Sequence, residues 1–261
     1  MEVHESQLPN GMIVYQHPKG QGMESEDLLW IYQEIFTEEA YLGKGFLQLD
    51  DSTKTVLDCG ANIGLFSLWV FLRSPNATIY QFEPIPHTFN MLERNMKKHN
   101  VSGRVRGYNI GLAEFPTDGS PQDREVDFRF YPEVSTMSTS LWNEKQDLLK
   151  AFVSPDVFNN YETMRCKVRC LGDIIKEEQI SKIDFLKIDV EGSEVDLLNG
   201  LYEEDWIKIQ QVSAEVQPAG GKIEKCITIL KDHGFETSVS SATEEHPDFA
   251  NVMVNGRKPK P

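Results

Sequence analysis

The segment from Val56 to Phe66, which reads VLDCGANIGLF, constrains the fold more than any other stretch of the 261-residue chain. A short apolar strand ends there in an acid, the chain turns through Gly60 and Gly64, and an apolar helix begins. Glycine adopts positive φ angles without strain and lets the backbone approach a ligand closely. Open α/β sheets bind ligands at the carboxyl ends of their strands. The segment therefore predicts a strand–turn–helix unit at the ligand edge of such a sheet.

The details of this turn separate two classes of ligand. A dinucleotide site has the pattern G-x-G-x-x-G, whereas this chain has D-x-G-x-N-x-G, with Asp58 in front and Asn62 in place of the middle glycine. An acid that faces the ligand suits a cationic amine better than a diphosphate. Glu83 ends the next strand about 20 residues further on, where a carboxylate can accept both hydroxyls of a ribose. A ribose and an amine without a pyrophosphate describe S-adenosylmethionine. A dinucleotide site and an ordinary glycine turn remain the alternatives.

Charge and composition limit the partners of the chain. Its 41 acidic and 26 basic residues give a formal net charge of −15, which repels the phosphates of nucleic acids and anionic membrane surfaces. The first residues are polar and acidic, and the longest apolar run, 65–72, is far shorter than the ~20 residues of a membrane span. The four cysteines show no disulfide or metal-binding spacing. We expect a cytoplasmic protein with reduced thiols and with no nucleic-acid or membrane partner.

Strands and helices alternate strictly from Lys54 onward, which predicts a parallel, doubly wound α/β sheet. The predicted elements are a strand at Val56, the helix Leu65–Leu72, the strand Thr78–Phe82, a helix from Pro86, the strand Arg104–Ile110, the strand Gln211–Gln217 and the helix Lys222–His233. Phe235–Val239 and Ala250–Val254 are expected to form a terminal antiparallel hairpin.

Two segments lie outside this alternation. Residues 1–53 precede the first core strand, so their helix, which is expected from about Ser25 to Phe36, can only be an appendage or a lid. Between about 111 and 164 the regular pattern lapses. Long irregular insertions in α/β domains are commonly functional, and we interpret this one as substrate-facing.

A second informative stretch, 184–194, reads DFLKIDVEGSE. A buried strand ends just before Asp189, which places this acid at the ligand edge of the sheet. Glu191 and Glu194 have a simpler explanation, since acids at the start of a helix complement its dipole. Glu215 stands near the end of the following strand. Asp189 is therefore the first candidate for an acid with a chemical role at this edge.

With both motifs in view, the chain resembles the FkbM family of S-adenosylmethionine-dependent methyltransferases. The resemblance rests on four segments in the family's order, Glu34…Tyr41, Asp58–Gly64, Glu83…Asn95 and Lys187–Glu194. It implies a Rossmann-like class I methyltransferase domain over 54–261, preceded by the lid 1–53.

Members of the family typically methylate hydroxyls of natural products or sugars, and the amino-terminal segment is most similar to members that act beside polyketide and nonribosomal peptide assembly lines. The resemblance implies an O-methyltransferase that acts on a hydroxylated natural-product intermediate, either free or bound to a carrier protein. An N-methyltransferase is the first alternative. An NAD-dependent oxidoreductase and a non-catalytic cofactor-binding partner are alternatives of other classes.

The resemblance also assigns roles to individual residues. Asp58, Gly60, Asn62 and Gly64 are expected to hold the methionine part of the cofactor, and Glu83 the ribose. The full set of predicted cofactor-binding residues is Tyr41, Asp58, Gly60, Asn62, Gly64, Glu83, Asn109 and Asp189, with Asn109 expected beside the adenine.

An alcohol is a poor nucleophile, so a base that removes its proton is expected to speed transfer by about 10²–10⁴-fold. Asp189 is the first candidate for this base, and Glu191, Glu215 and His87 are weaker ones. Magnesium held by carboxylates is an alternative that the pattern does not favour, and no metal ligands are predicted.

Overall fold

The computed structural model describes residues 4–17, 26–117, 123–131, 155–241 and 252–259. The strands are β1 (His4–Gln7), β2 (Ile13–Gln16), β3 (Thr55–Cys59), β4 (Thr78–Phe82), β5 (Val105–Tyr108), β6 (Gly111–Leu112), β7 (Arg124–Phe130), β8 (Glu162–Arg169), β9 (Phe185–Ile188), β10 (Gln211–Val216), β11 (Glu236–Ser241) and β12 (Val252–Arg257). The α-helices are α1 (Glu26–Tyr32), α2 (Leu65–Arg73), α3 (Pro86–Lys98), α4 (Pro155–Asn159), α5 (Leu171–Glu177), α6 (Glu194–Asn199) and α7 (Lys222–Asp232). None of the described helices is long and apolar enough to cross a membrane.

Seven strands form the central sheet in the order β11–β12–β10–β9–β3–β4–β5. Strands β10, β9, β3, β4 and β5 run parallel to one another, and β12 lies between β10 and β11 and is antiparallel to both. The order reverses between β3 and β9, so the carboxyl ends of these two strands open a crevice. The predicted parallel, doubly wound sheet with a terminal antiparallel hairpin is confirmed.

Successive residues of each central strand point to opposite faces of the sheet and build two separate cores. Val56 of β3 packs in the first core, with residues of α2 and α3 such as Leu68 and Leu92. Leu57 packs in the second core, with residues of α5 such as Ile174. Helices therefore cover both faces of the sheet.

The terminal hairpin extends further than predicted. Its last strand runs to Arg257 instead of ending at Val254, because Asn255 and Gly256 continue the ladder between β10 and β11. The Asn255 side chain is buried and accepts a hydrogen bond from the Ser213 hydroxyl, at 2.9 Å. An Asn–Gly pair normally marks a turn, and here the buried partner keeps it in the strand. The predicted start at Ala250 lies outside the described residues. At the other edge, β5 is shorter than the predicted strand Arg104–Ile110.

The amino-terminal segment packs into the first core and is more than an appendage. Leu28 and Ile35 are buried in that core together with Leu47. Helix α1 continues at Gln33–Thr37 as a wider π-helical turn, where the sequence predicted one uninterrupted helix to Phe36. The predicted start at Ser25 lies outside the described residues.

The insertion contains a separate three-stranded sheet in the order β6–β8–β7, and β1 and β2 form a two-stranded sheet of their own. Phe128 and Phe130 of β7 pack with Cys166 of β8 against Ile85, just after β4. Residues 118–122 and 132–154 of the insertion lie outside the described residues. Its role toward a substrate therefore stays a prediction.

Candidate active site

The glycine loop, residues 58–64, connects β3 to α2. Gly60 and Gly64 have φ angles of +78° and +92°, in the region that only glycine adopts freely. A Cβ on Gly60 would stand 1.7 Å from the backbone oxygen of Asp189, and one on Gly64 would stand 2.6 Å from the Met96 methyl carbon. Gly60 is thus already required by the close approach of the loop to the end of β9, and Gly64 by its positive φ angle. From the sequence, these glycines were expected to allow the close approach of a ligand, with an ordinary glycine turn as an alternative.

Asp58 lies beneath the loop and is fully buried, so its charge does not face the crevice directly. One carboxylate oxygen accepts a hydrogen bond from the Ser67 hydroxyl at 2.7 Å, and the other lies 3.3 Å from the Lys187 Nζ atom. Lys187, which is 3% exposed, also donates to the Gly60 carbonyl oxygen at 2.7 Å. Asp58 therefore supports the loop from below through a buried ion pair.

Glu83 lies at the end of β4, directly beside the loop. One of its carboxylate oxygens accepts the Asn62 backbone N–H at 3.1 Å, and the other accepts the Ile85 backbone N–H at 2.9 Å. Burial raises the pKa of this carboxyl to about 7, against the opposing effect of these two hydrogen bonds. Asn109 donates its amide hydrogens to the carbonyl oxygens of Glu83 and Pro84, at 2.9 and 3.0 Å, and so braces the turn that carries Glu83.

An acid cluster occupies the carboxyl ends of β9 and β10. It consists of Glu34, Asp189 and Glu215 with the Tyr41 hydroxyl between them. That hydroxyl lies 3.1 Å from an Asp189 oxygen and 3.2 Å from a Glu215 oxygen, within hydrogen-bond distance of both. Asp189 also lies 3.4 Å from the Lys187 Nζ atom.

The cluster has more carboxyl groups than its surroundings can keep ionised. Burial, followed by the charges of Glu215 and Asp189, raises the pKa of Glu34 well above its usual range, and Glu34 shares a hydrogen bond with Glu215. Burial, followed by the negative charges of the three neighbouring acids, Asp189, Glu34 and Glu215, raises the pKa of Tyr41 well above its usual value. Both shifts favour the neutral, protonated forms of Glu34 and Tyr41.

The other two predicted catalytic residues have separate surroundings. Glu191 adopts a positive φ of +57° and accepts a hydrogen bond from the Gln217 amide at 3.2 Å. His87 lies in the first turn of α3, and its ring centroid is 6.0 Å from the ring centroid of Phe130.

Sequence reasoning assigned no role to Lys187, Ser67 or Glu34. Lys187 had a signal, since a lysine between apolar residues in a core strand requires a buried counter-charge. Glu34 is separated from Asp189 and Glu215 by more than half of the chain, so no local pattern could bring it to them.

The residues at the crevice fit S-adenosylmethionine. Each carboxylate oxygen of Glu83 accepts one backbone N–H and retains a lone pair, which leaves two acceptors for the two hydroxyls of a ribose. The buried Oδ1 atom of Asn62 has no hydrogen-bond partner within the described part of the chain, and it offers a further acceptor. Across the described ranges, no group of three or more His, Cys, Asp or Glu side chains is arranged to hold a metal ion.

Comparison with known proteins agrees with this geometry. The Methyltransferase FkbM domain model matches residues 58–237, from the glycine loop to β11. The chain belongs to the FkbM methyltransferase family. It is 32% identical to Methyltransferase 1 of Beauveria bassiana over 98% of both chains. It is 33% identical to the 31-O-demethyl-FK506 methyltransferase FkbM of Streptomyces tacrolimicus, over 97% of this chain and 95% of that protein.

Among solved structures, the FkbM methyltransferase of Methylobacillus flagellatus superimposes with a TM-score of 0.56 at 17% identity. The match covers 90% of this chain and 55% of that one, and it shows a shared fold. This FkbM family member is thus an S-adenosylmethionine-dependent methyltransferase. The alternative of an NAD-dependent oxidoreductase, which the two glycines of the loop had left open, does not apply.

Proposed function

We propose that this FkbM methyltransferase transfers a methyl group to a hydroxyl of a natural-product intermediate, with Asp189 as the general base. The observation that carries the proposal is the Tyr41 hydroxyl between Asp189 and Glu215, at the carboxyl edge of the sheet and next to the glycine loop. The Streptomyces tacrolimicus relative supports oxygen as the acceptor atom, since its name specifies a 31-O-demethyl compound.

The bound cofactor would supply an electrophilic methyl group on a sulfonium. Glu83 and the glycine loop would hold its ribose and methionine parts, which leaves the acid cluster to handle the acceptor. Methyl transfer to an alcohol releases one proton per turnover, and a carboxylate within reach of the hydroxyl can accept it. Tyr41 orients Asp189 and Glu215 toward each other, and positioning of this kind supplies much of the rate in a direct displacement.

The surroundings of the acids favour Asp189 over Glu34 as the base. Burial and the charges of the neighbouring acids raise the pKa of Glu34, which favours its neutral form. Asp189 instead lies 3.4 Å from the Lys187 ammonium, which holds its carboxylate at the crevice. It is 28% exposed, so an acceptor can reach it from the crevice.

The acceptor atom is tested with matched pairs of acceptors. The purified chain is incubated with S-adenosylmethionine labelled on the methyl group and with pairs that differ only in a hydroxyl or an amine. The pairs are 3-hydroxyacyl and 3-aminoacyl thioesters, both as free pantetheine thioesters and on a carrier protein. We expect label on oxygen only. Label on nitrogen alone would contradict the proposal and favour the N-methyltransferase.

The cofactor is tested independently by calorimetric titration with S-adenosylhomocysteine, with NAD as the control ligand. We expect S-adenosylhomocysteine to bind and NAD not to bind.

All four cysteines are free thiols, which supports a reducing, cytoplasmic setting for the reaction.

A further inference from the structure

Lys187 is the one lysine side chain of the described residues that is almost wholly buried at the crevice, and its contacts join three parts of the site. Its ammonium donates to the Gly60 carbonyl oxygen at 2.7 Å. The same nitrogen lies 3.3 Å from an oxygen of Asp58 and 3.4 Å from an oxygen of Asp189. One cation therefore joins the glycine loop, the buried acid below it and the proposed base.

We propose that Lys187 is a positioning residue, whose ammonium fastens the glycine loop to Asp189 and holds that carboxylate toward the cofactor. The proposal rests on the proposed function, in which Asp189 is the base.

Charge explains why a lysine is needed at this position. A buried cation is unfavourable unless it is paired, and the two carboxylates supply the pairing. Burial alone would lower the pKa of Lys187, but Asp189 and Asp58 outweigh it and raise the pKa above its ordinary value. The ammonium thus stays charged throughout the working pH range, and it offsets the fully buried Asp58 as well as Asp189.

The geometry makes the loop and the base move together. A Cβ on Gly60 would clash with the Asp189 backbone oxygen, so the two backbones already touch. The hydrogen bond from the Lys187 ammonium to the Gly60 carbonyl oxygen adds a second connection between the loop and β9. The expected result is a fixed distance between the loop, which would hold the methionine part of the cofactor, and the carboxylate that would face the reacting methyl group.

Two cofactor analogues test the proposal without an acceptor. Sinefungin has a cationic amine at the position of the methylsulfonium, whereas S-adenosylhomocysteine is neutral there. A carboxylate of Asp189 that is held toward this position should therefore make sinefungin the tighter ligand. Calorimetric titrations of both ligands at one pH measure this preference as the ratio of the two affinities.

The informative variant is Lys187→Gln, which retains a donor for the Gly60 carbonyl but loses the charge. We expect the sinefungin preference to fall several-fold in this variant, because Asp189 is no longer held toward the cofactor. If the ammonium acted only through its charge, its removal would instead strengthen the binding of the cationic analogue. Lys187→Arg should keep most of the wild-type preference. Lys182→Gln removes an exposed lysine near the start of the same strand and serves as the matched control.

The outcomes are separable. A sinefungin preference that is unchanged or larger in Lys187→Gln, or equal binding of both analogues by the wild type, would overturn the role of Lys187. If the wild type bound neither analogue, the cofactor part of the proposed function would fail instead. If Lys187→Gln does not fold, the Asp58→Asn/Lys187→Gln double variant leaves no unpaired buried charge and takes its place. A double variant that also fails to fold would show a role in folding alone and overturn the proposal.

Discussion

Glu83 and Asp189 both stand at the carboxyl edge of the same sheet, yet their surroundings differ. Glu83 is 7% exposed, and each of its oxygens already accepts one backbone N–H. Asp189 is partly exposed. The described contacts of its carboxylate are with two side chains, the Tyr41 hydroxyl and the Lys187 ammonium. Backbone donors hold Glu83 in one orientation, whereas the partners of Asp189 are groups that carry or share protons.

This difference indicates a division of work between the two ends of the crevice. A carboxylate that is held by the backbone and keeps two free lone pairs suits a ligand whose position must not vary. A carboxylate among other acids, a phenol and an ammonium suits proton transfer, since small changes in charge shift the proton among them. The first end is therefore expected to determine cofactor affinity and the second to determine turnover.

The strongest test of this division is Asp189→Asn. With an acceptor from the hydroxyl–amine screen, we expect methyl transfer to fall by about 10²–10⁴-fold because the base is lost. Affinity for S-adenosylhomocysteine should change by no more than a few-fold, since the asparagine oxygen can still accept from Tyr41. Asp232→Asn, at an exposed position at the end of α7, is the control. Unchanged turnover would exclude Asp189 as the base.

Glu83→Ala should have the opposite effect. Each hydrogen bond to a charged group contributes about 1.5–3 kcal/mol, so the loss of two should weaken S-adenosylhomocysteine binding by about 10²-fold or more. Turnover at saturating cofactor should fall much less. Calorimetry measures the affinity, and Glu93→Ala on the exposed side of α3 is the control. Wild-type affinity in Glu83→Ala would show that the ribose binds elsewhere.

The two ends also differ in how far the sequence could predict them. The Glu83 end is local, because a strand, a glycine turn and the acid of the next strand lie within 30 residues of one another, from Val56 to Glu83. Periodicity and spacing therefore predicted the sheet, the loop and the place of Glu83. The pattern could not show that Asp58 is buried, since that depends on the lysine of β9 that reaches across to it.

The Asp189 end is assembled from distant parts of the chain. Tyr41 lies 148 residues from Asp189 and 174 residues from Glu215 along the chain. Asp189 was identifiable because it ends a core strand, but its partners depend on how the amino-terminal segment packs. The π-helical turn that carries Glu34 has no periodic signature, so the acid cluster could be found only in three dimensions.

The titration of Glu83 gives a smaller, pH-dependent test. Burial raises its pKa to about 7, so the native carboxyl holds a proton more tightly than the unfolded one. Its contribution to stability is complete below the ordinary value of 4.5 and is lost as the pH rises through about 7. The free-energy cost of Glu83→Gln, measured by denaturant unfolding, should therefore fall by about 2 kcal/mol between pH 5 and pH 8. Glu93→Gln should show no such trend, and a cost independent of pH would contradict the raised pKa.

The smallest effect is expected for Tyr41→Phe, which tests whether the acid cluster is needed for cofactor binding at all. The ring keeps its packing against Phe66, at 5.2 Å between centroids, and only the donor to Asp189 and Glu215 is lost. We expect a loss of about 1 kcal/mol in the free energy of unfolding and a fall in turnover of up to about tenfold. Tyr32→Phe, whose ring stacks on Phe36, is the matched control. Affinity for S-adenosylhomocysteine should stay at the wild-type value, because Glu83 and the glycine loop keep all their contacts. If Tyr41→Phe weakened that affinity as strongly as Glu83→Ala, the two ends of the crevice would form one binding site, and the acids around Tyr41 would act on the cofactor as well as on the acceptor.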